Sequence, residues 1–368
     1  MHHQPVDGVV WQPRIDHWYY TNKRAGTLPE RYRDMSLYEV YVDLDCSIRG
    51  YEFYNPCISR VYDSSVSFRV VEDTPHRRVR LWETPLGVLT EVEGKTAESS
   101  LLTEFPAKSI ADLRIVRYTL EALNFEFSEE RFREAEKLVG DRGVGSVYNL
   151  RTPLMRLFIE FMGFENTIVA LHEFPEEMDS FIRFLEEDDQ KYIDMIKKSP
   201  LPLLNFGDNV DSNMLPPSLM RKYALPYYRR RTAELRAAGK ASYPHWDGAL
   251  KGLLPFVREC GFDGYEAFTP TPMGDVSLDE IAEAMGHDYV LIDGIPATHF
   301  IPPFTRDDVE EFATLVLQTF APSLILGISD ELPPSGDIES VRRVAEIVRS
   351  FRISKYPDQP PHTTKRPR

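Results

Sequence analysis

Short apolar runs alternate with longer segments of mixed polarity along the chain from about residue 145 onward. We interpret the short runs as buried strands and the segments between them as helices, which together imply parallel βαβ units. The predicted strands are "GSVYNL" (145–150), "LPLLNFGDN" (201–209), "KASYPHW" (240–246), "FDGYEAF" (262–268), "DYVLIDGIP" (288–296) and "SLILGISDEL" (323–332). No glycine-rich fingerprint such as GxGxxG follows any of them, so the pattern favours a (β/α)8 TIM barrel over a doubly wound nucleotide-binding sheet.

Helical spacing is clearest in the segments before and between the first strands. "SIADLRIVRYTLEAL" (109–123) and "SEERFREAEKLVG" (128–140) each begin with a serine cap, and the second closes at Gly140. A long amphipathic segment, 174–199, ends before Pro200. These features predict helices that pack around the strands.

The first 110 residues lack this alternation and are rich in aromatic residues and arginine. We predict that 1–110 is an irregular N-terminal extension packed on the barrel. Within it, "RVRLWETPLGVLTEVE" (78–93) indicates a β-hairpin, with two β-prone runs around Thr84–Gly87. The barrel core is then expected over 111–353, and 354–368 is expected to be a disordered tail.

Composition and charge narrow the class of protein. The 368 residues are 42% hydrophobic and 27% charged, as in soluble globular proteins. The formal net charge of −15 argues against nucleic acid or an anionic membrane as the main partner, since both require a basic surface. Three cysteines without a CxxC pair, and the lack of an apolar signal or membrane-length segment, predict a cytoplasmic protein.

Polar side chains recur at the carboxyl ends of the predicted strands. In a parallel barrel these ends meet on the face where such enzymes carry out their chemistry. A ring of unpaired carboxylates would repel itself, so it requires a cation, a cationic substrate, shared protons or arginines. The residues concerned are Asp208, Asn209, His245, Asp247, Glu266, Asp293, Asp330 and Glu331.

His245 and Asp247 form the most specific pair in this set. An imidazole and a carboxylate two residues apart on a strand end are ligand types for zinc or a harder divalent ion. The alternative is that Asp247 caps a helix formed by "GALKGLLPFVREC" and that His245 packs beneath it. Glu266 lies in an aromatic strand, so it is either a buried carboxylate with a raised pKa or the partner of an N-terminal arginine.

The segment "GDNVDSNMLPPSLMRKYALPYYRRRTAELRAAGKASYPHWDGALKGLLPFVRECGFDGYEAF" resembles the central part of the uroporphyrinogen decarboxylase superfamily. The shared features are an acidic strand end, a helix start with Ser and Pro, a histidine-bearing strand end and a following Gly-x-Asp-Gly-like turn. The resemblance extends from about 140 to 350 and includes "LIDGIP" and "LILGISDELPPSGDIESVRRV". It implies a TIM barrel and an enzyme.

The superfamily has two functional branches, and the chain is more similar to the corrinoid-dependent methyltransferases. Those enzymes bind zinc through a His-x-Cys strand end and a later cysteine. The histidine falls on His245, whereas Asp247 and Asp330 occupy the two cysteine positions. The resemblance therefore implies a divalent metal, most simply zinc, at these three residues, and a partner protein that carries a corrinoid.

On this interpretation, Glu266 and Asp208 are the candidate catalytic carboxylates. The candidate substrate-binding residues are Asn209, Asp293, Arg14 and Trp18. The substrate would be a small methylated molecule, for which a methoxy-aromatic compound is one candidate.

Two alternatives remain open at the level of sequence. One is a metal-free decarboxylase, although the arginine-rich signature of that branch is missing and acidic strand ends would repel a substrate with many carboxylates. The other is a barrel that binds a ligand without catalysis. The aromatic residues Trp11, Trp18, Tyr19 and Tyr20 form either a lid over the barrel mouth or a plug at its side.

Overall fold

The computed structural model describes residues 8–352, so the predicted tail at 354–368 lies outside the described residues. Fifteen strands are present in this part of the chain. They are β1 (Val10–Trp11), β2 (Ile48–Arg49), β3 (Ile58–Tyr62), β4 (Ser67–Asp73), β5 (Arg77–Thr84), β6 (Gly87–Lys95), β7 (Ser100–Glu104), β8 (Leu123–Phe127), β9 (Gly143–Val144), β10 (Ser146–Tyr148), β11 (Leu203–Val210), β12 (Ala241–Trp246), β13 (Gly264–Glu266), β14 (Val290–Pro296) and β15 (Leu324–Ser329).

Fourteen α-helices lie between and around the strands of residues 8–352. They are α1 (Asp16–Ala25), α2 (Leu37–Asp43), α3 (Tyr51–Tyr54), α4 (Leu113–Glu121), α5 (Glu129–Val139), α6 (Pro153–Arg156), α7 (Phe164–Glu173), α8 (Pro175–Asp188), α9 (Gln190–Lys198), α10 (Pro217–Leu219), α11 (Leu225–Ala237), α12 (Leu278–Met285), α13 (Arg306–Phe320) and α14 (Ile338–Ser350). Short 3₁₀ turns occupy Glu30–Tyr32, Asn55–Cys57, Ile110–Asp112, Gly140–Arg142, Leu254–Phe256 and Ala297–Phe300, and π-helical turns occupy Leu157–Phe161 and Met220–Ala224.

A curled parallel sheet of seven strands organises the molecule. Its order is β1-β15-β14-β13-β12-β11-β10, and all six strands predicted from the apolar runs belong to it. The sheet's two edges both approach β2. The amide of Ser47 donates to the carbonyl oxygen of Trp11 at 2.8 Å, and β2 pairs in parallel with β9, which immediately precedes β10. The result is a TIM-barrel-like α/β fold.

The N-terminal segment contributes to this sheet, which differs from the predicted boundary at residue 110. Trp11 pairs with Leu326 of β15, so β1 is a strand of the barrel and not part of a separate extension. Strands β1 and β2 have two residues each, which is too short for an alternating pattern to be visible in the sequence.

Two antiparallel units also come from the N-terminal region. Strands β4, β5, β6 and β7 form a four-stranded sheet in chain order. Strands β5 and β6 pair with Thr84 opposite Gly87, in the segment for which the hairpin is predicted. Strands β3 and β8 form a separate antiparallel pair beside the barrel mouth.

Side-chain alternation decides what faces the barrel interior. In β12, Tyr243 and His245 point to one side and Trp246 to the other, because successive residues of a strand face opposite ways. Trp246 packs against Tyr265 and Phe268 in the main hydrophobic core. Tyr243 instead joins Tyr51 and Ile292 in a small buried cluster. Thus β12 delivers its histidine to the interior at the carboxyl end of the barrel.

The predicted helix after Asp247 is not formed. Between β12 and β13 the chain makes turns and one 3₁₀ turn at Leu254–Phe256, so Asp247 does not cap a helix. Its amide donates to the carbonyl oxygen of Val210 at 3.0 Å, which extends the contact between β11 and β12. No helix within residues 8–352 has the length and apolar character needed to span a membrane.

Candidate functional site

One ring nitrogen of His245 is hydrogen-bonded to a buried carboxylate on the neighbouring strand, β13. His245 and Glu266 are partners in the parallel register of β12 and β13, so their side chains lie side by side on the inner face. Nδ1 of His245 is 3.0 Å from Oε2 of Glu266. An ionised carboxylate can only accept, so Nδ1 carries the proton of this hydrogen bond and Nε2 points away from Glu266.

Glu266 is fully buried and is surrounded by donors. Arg49 Nη1 donates to its Oε1 at 2.7 Å and the Tyr51 hydroxyl donates at 3.1 Å, while Asn205 Nδ2 donates to Oε2. Burial alone would raise the pKa of Glu266, but the charge of Arg49 and the bond from His245 outweigh it and lower the pKa. Glu266 is therefore a fixed anion beneath His245, and the alternative of an arginine partner is the one observed.

The free nitrogen of His245 faces two further carboxylates. Its Nε2 lies 3.9 Å from Oδ2 of Asp247 and 4.0 Å from Oδ1 of Asp330. Burial lowers the pKa of His245, but the bond to Glu266 and the charges of Glu266 and Asp247 raise it overall. Burial raises the pKa of Asp247, and the nearby charge of Asp330 adds to that effect. His245, Asp247 and Asp330 thus lie close together, with Nε2 of the histidine about 4 Å from an oxygen of each carboxylate.

Backbone conformation at the strand ends is unusual in the same region. Asn209, near the end of β11, and Asp330, directly after β15, have φ values of 53° and 70°, in the left-handed region that Asn and Asp tolerate better than other residues with a Cβ. Asp293 has a φ of 89° but lies inside β14 and not at its end. Left-handed residues at the carboxyl face are typical of functional sites.

Arg14 supplies the positive charge at the rim. It follows β1, whose carboxyl end lies beside that of β15, and its Nη1 donates to Oδ1 of Asp330 at 3.3 Å. Its Nη2 donates to Oε1 of Glu331. The acidic strand ends are therefore paired: Arg14 neutralises those of β15, and Arg49 neutralises Glu266 and Asp293.

The side-chain types at this site are those that bind divalent metals. The imidazole of His245 faces the carboxylates of Asp247 and Asp330, and the buried Glu266 is bonded to its other nitrogen. As the side chains stand, no group of three or more His, Cys, Asp or Glu within residues 8–352 is arranged to hold a metal ion. Tetrahedral zinc ligands lie roughly 3.3 Å apart, from bonds of about 2 Å, and Arg14 bonds the same Asp330 oxygen that faces His245. Metal binding requires that pair to open and the carboxylates to move inward.

A cavity of about 520 Å³ opens beside this group, at the carboxyl face. His245, Asp330, Arg14 and Asn209 line it. So do residues that the sequence analysis did not select, Arg60, Tyr148, Asn149 and Arg151. The site residues missed from the sequence are mainly arginines of the N-terminal region and of the loop after β10, and the only signal for them was the need to neutralise the acidic strand ends.

Three predicted site residues lie away from the cavity. Asp208 is buried between the amide of Thr152 at 2.7 Å and the hydroxyl of Tyr228 at 2.6 Å. Asp293 is buried against Arg49 below the site. Trp18 packs edge-on against Tyr32 in the main core, with ring centroids 6.0 Å apart, because α1 lies on the side of the barrel and buries its aromatic face.

Comparisons with known proteins agree with this architecture. The sequence model of uroporphyrinogen decarboxylase (URO-D) matches residues 155–351, more than half of the chain. A methyltransferase from Methanosarcina mazei aligns over 94% of both chains, with a TM-score of 0.58 and 13% identity, a likeness of fold. A B12-independent methionine synthase from Shewanella sp. W3-18-1 aligns over 88% of this chain and 90% of its own, with a TM-score of 0.45 and 9% identity. A search of curated proteins gives no significant match.

Proposed function

The chain belongs to the uroporphyrinogen decarboxylase family, and on that premise we propose that it is a metal-dependent methyltransferase. It moves a methyl group between a small methylated substrate and the corrinoid of a partner protein. The observation that carries this proposal is the orientation of His245: Nδ1 is held by Glu266, and Nε2 faces Asp247 and Asp330.

His245, Asp247 and Asp330 are the residues that would hold the metal. When bound there, a divalent ion acts as a Lewis acid toward an oxygen of the substrate. Glu266 keeps the imidazole in one tautomer and one orientation, which raises its basicity as a ligand. These residues contribute preorganisation, since Arg49, Tyr51 and Asn205 are buried and each donates a hydrogen bond to Glu266.

In transfer from a methoxy group, the bond between the methyl carbon and oxygen breaks. The corrinoid of the partner would supply the nucleophile that accepts the methyl group, while the oxygen would keep the electron pair of the broken bond and take a proton from water. Asn209 lines the cavity and can orient the substrate by hydrogen bonding.

Metal content tests the proposal directly. Protein purified without chelator should contain a zinc-like divalent ion at a stoichiometry of about one per chain, as in sites with three protein ligands and one open position. His245→Ala and Asp247→Ala should each lose it while remaining folded. His287→Ala is the matched control, because that histidine is exposed in the loop before β14 and should leave the metal content unchanged.

A second candidate function has specific support. Arg14, Arg60 and Arg151 line the cavity, and clustered arginines are what a decarboxylase needs to bind an organic acid without a metal. The expected repulsion between acidic strand ends and such a substrate is reduced, because Arg14 and Arg49 already pair with those acids. If wild type and the three variants all lack metal and stay folded, metal-dependent transfer is contradicted and decarboxylation becomes the better proposal.

A further inference from the structure

One wall of the cavity is built by β3 and β8. Ile58 and Arg60 are two residues apart on β3, so they point to the same side of the strand. Phe125 of β8 is the register partner of Arg60 and shares that side. All three residues line the cavity. The strand pair therefore presents a cation next to an apolar surface.

A second cation enters from the loop after β10. Arg151 Nη1 donates to Oε1 of Glu160 at 3.1 Å, and Arg156 Nε donates to Oε2 of the same carboxylate at 3.4 Å. Burial raises the pKa of Glu160, but the charges of Arg156, Arg151 and Arg60 outweigh burial and lower it. Glu160 is therefore an ionised group that several guanidinium groups share.

The charges on this wall do not balance. Arg156 is also paired with the buried Asp189, at 2.6 Å. The wall itself carries two guanidinium groups, those of Arg60 and Arg151, and one carboxylate, that of Glu160, in a chain whose formal net charge is −15. A local excess of positive charge within an acidic protein attracts a small anion to this place and not to the surface at large.

Unused hydrogen-bonding capacity lies at the same wall. Asn149 is 5% exposed and lines the cavity, yet its Oδ1 has no hydrogen-bond partner within residues 8–352. Nε of Arg151 is likewise buried without a partner in that part of the chain. Buried polar atoms are normally satisfied. The Arg151 Nε is a donor that a carboxylate oxygen can satisfy, whereas the Asn149 Oδ1 only accepts and requires a hydroxyl or N–H donor.

We propose that the cavity binds a small monocarboxylate whose charged group pairs with Arg60 and Arg151 and whose apolar or aromatic body lies against Ile58 and Phe125. The inference rests on the proposed function only in taking this cavity as the substrate site. Arg60 and Arg151 lie outside residues 155–351, the part that matches the family. The subsite is therefore built by segments that precede the matched part, and His245 lines the same cavity.

Binding of model ligands tests the subsite without metal or corrinoid. Benzoate, benzyl alcohol and acetate are titrated into the full-length protein by calorimetry. We expect benzoate to bind at least about tenfold more tightly than either of the others, because only benzoate combines the charge with an apolar body. Equal binding of benzoate and benzyl alcohol, or no binding of benzoate at millimolar concentration, would overturn the proposal.

Variants then locate the anion. Arg60→Gln and Arg151→Gln should each weaken benzoate binding by about tenfold or more, as expected for loss of a hydrogen bond to a charged group. Arg69→Gln is the matched control: Arg69 is an exposed arginine paired with Glu83 and does not line the cavity, so binding should be unchanged. Loss of affinity in Arg69→Gln equal to that in the cavity variants would show a general charge effect and refute the subsite.

Glu160→Gln should change benzoate affinity in the opposite direction. Removing the competing carboxylate frees Arg151 and Arg60, so benzoate should bind several-fold more tightly. A purely structural role for these arginines predicts no gain, and an unchanged or weakened affinity in folded Glu160→Gln would contradict the proposal. Because none of these measurements uses metal or methyl transfer, their failure is distinct from a failure of the metal-content test.

Discussion

Two arginine–carboxylate clusters support the site from opposite sides of His245, and they differ in exposure. The interior cluster is Arg49 with Glu266 and Asp293, whose side chains are at most 2% exposed. The rim cluster is Arg14 with Asp330 and Glu331, where the Asp330 side chain is 53% exposed. Both neutralise strand-end acids, but water can compete with the charges only at the rim.

This difference separates a fixed part of the site from an adjustable part. In the interior, each charge has lost its hydration, so the geometry that holds Glu266 below His245 cannot relax without a large cost. At the rim, opening the Arg14–Asp330 pair costs less, because solvent reaches Asp330 and Arg14, only 10% exposed, keeps its bond to Glu331. The histidine is thus anchored from within, whereas the candidate ligand Asp330 is free to exchange a guanidinium for another cation.

The largest effect should come from breaking the interior cluster. Arg49→Gln leaves Glu266 and Asp293 buried without their counter-charge, and loss of one partner of a buried pair typically costs about 3–5 kcal/mol. We expect a decrease of that size in the free energy of unfolding, measured by urea denaturation. Arg69→Gln, which removes an exposed arginine paired with Glu83, should change it by less than about 0.5 kcal/mol. Equal, small changes in both variants would remove the distinction between interior and rim.

Asp208 is another buried carboxylate, but unlike Glu266 and Asp293 it has no arginine among its hydrogen-bond partners. Burial raises the pKa of Asp208 from 3.8 to about 6, despite the bonds from Tyr228 and Thr152. The folded state therefore binds the proton more tightly than the unfolded state, and stability from this group is present below about pH 4 and lost as pH rises through about 6. Glu266 shows the opposite shift because Arg49 is its neighbour.

Asp208→Asn should remove this pH dependence. Relative to wild type, the variant should gain roughly 3 kcal/mol in free energy of unfolding between about pH 4 and about pH 7, from the linkage between pKa and stability. The measurement is urea unfolding of both proteins at several pH values, taking the difference at each pH so that other titrations cancel. A difference that stays constant with pH would show that the Asp208 carboxyl titrates normally in the folded protein.

The sequence predicts the barrel strands well because their signal is local. Each of β10 to β15 except the short β13 is a mainly apolar run, and β13 is recognisable from its aromatic neighbours Tyr265 and Phe268. Strands β1 and β2 could not be predicted, since two residues carry no period and their pairing depends on contacts about 300 and 100 residues away along the chain. The N-terminal segment was therefore predicted as an extension when it supplies part of the barrel.

Some residues of the candidate site can likewise be predicted from the sequence, whereas others cannot. The positions of His245, Asp247, Asp330 and Asn209 at strand ends follow from the rule that parallel strands meet at one face. Arg14, the partner of Asp330, follows β1, and Arg49, the partner of Glu266 and Asp293, lies in β2. Identifying these pairs therefore requires the three-dimensional structure. The sequence establishes only that the acids need neutralising charge. For Trp18, aromatic character alone does not distinguish a lid from core packing, and the structure places it in the core.

The smallest change in stability should come from the rim. Arg14→Gln removes a cation from carboxylates that water partly solvates, so we expect a decrease of about 1 kcal/mol or less in the free energy of unfolding. The variant should nevertheless bind Zn²⁺ or Co²⁺ more tightly, by about tenfold, because Oδ1 of Asp330 is released and a repelling charge is lost. Competition with a chromophoric chelator measures the affinity, with Arg60→Gln as control, since Arg60 lines the cavity without an ion pair to Asp330. Weaker metal binding in Arg14→Gln, or a loss of stability as large as that of Arg49→Gln, would mean that the rim cluster is as fixed as the interior one and that Asp330 is not an adjustable ligand.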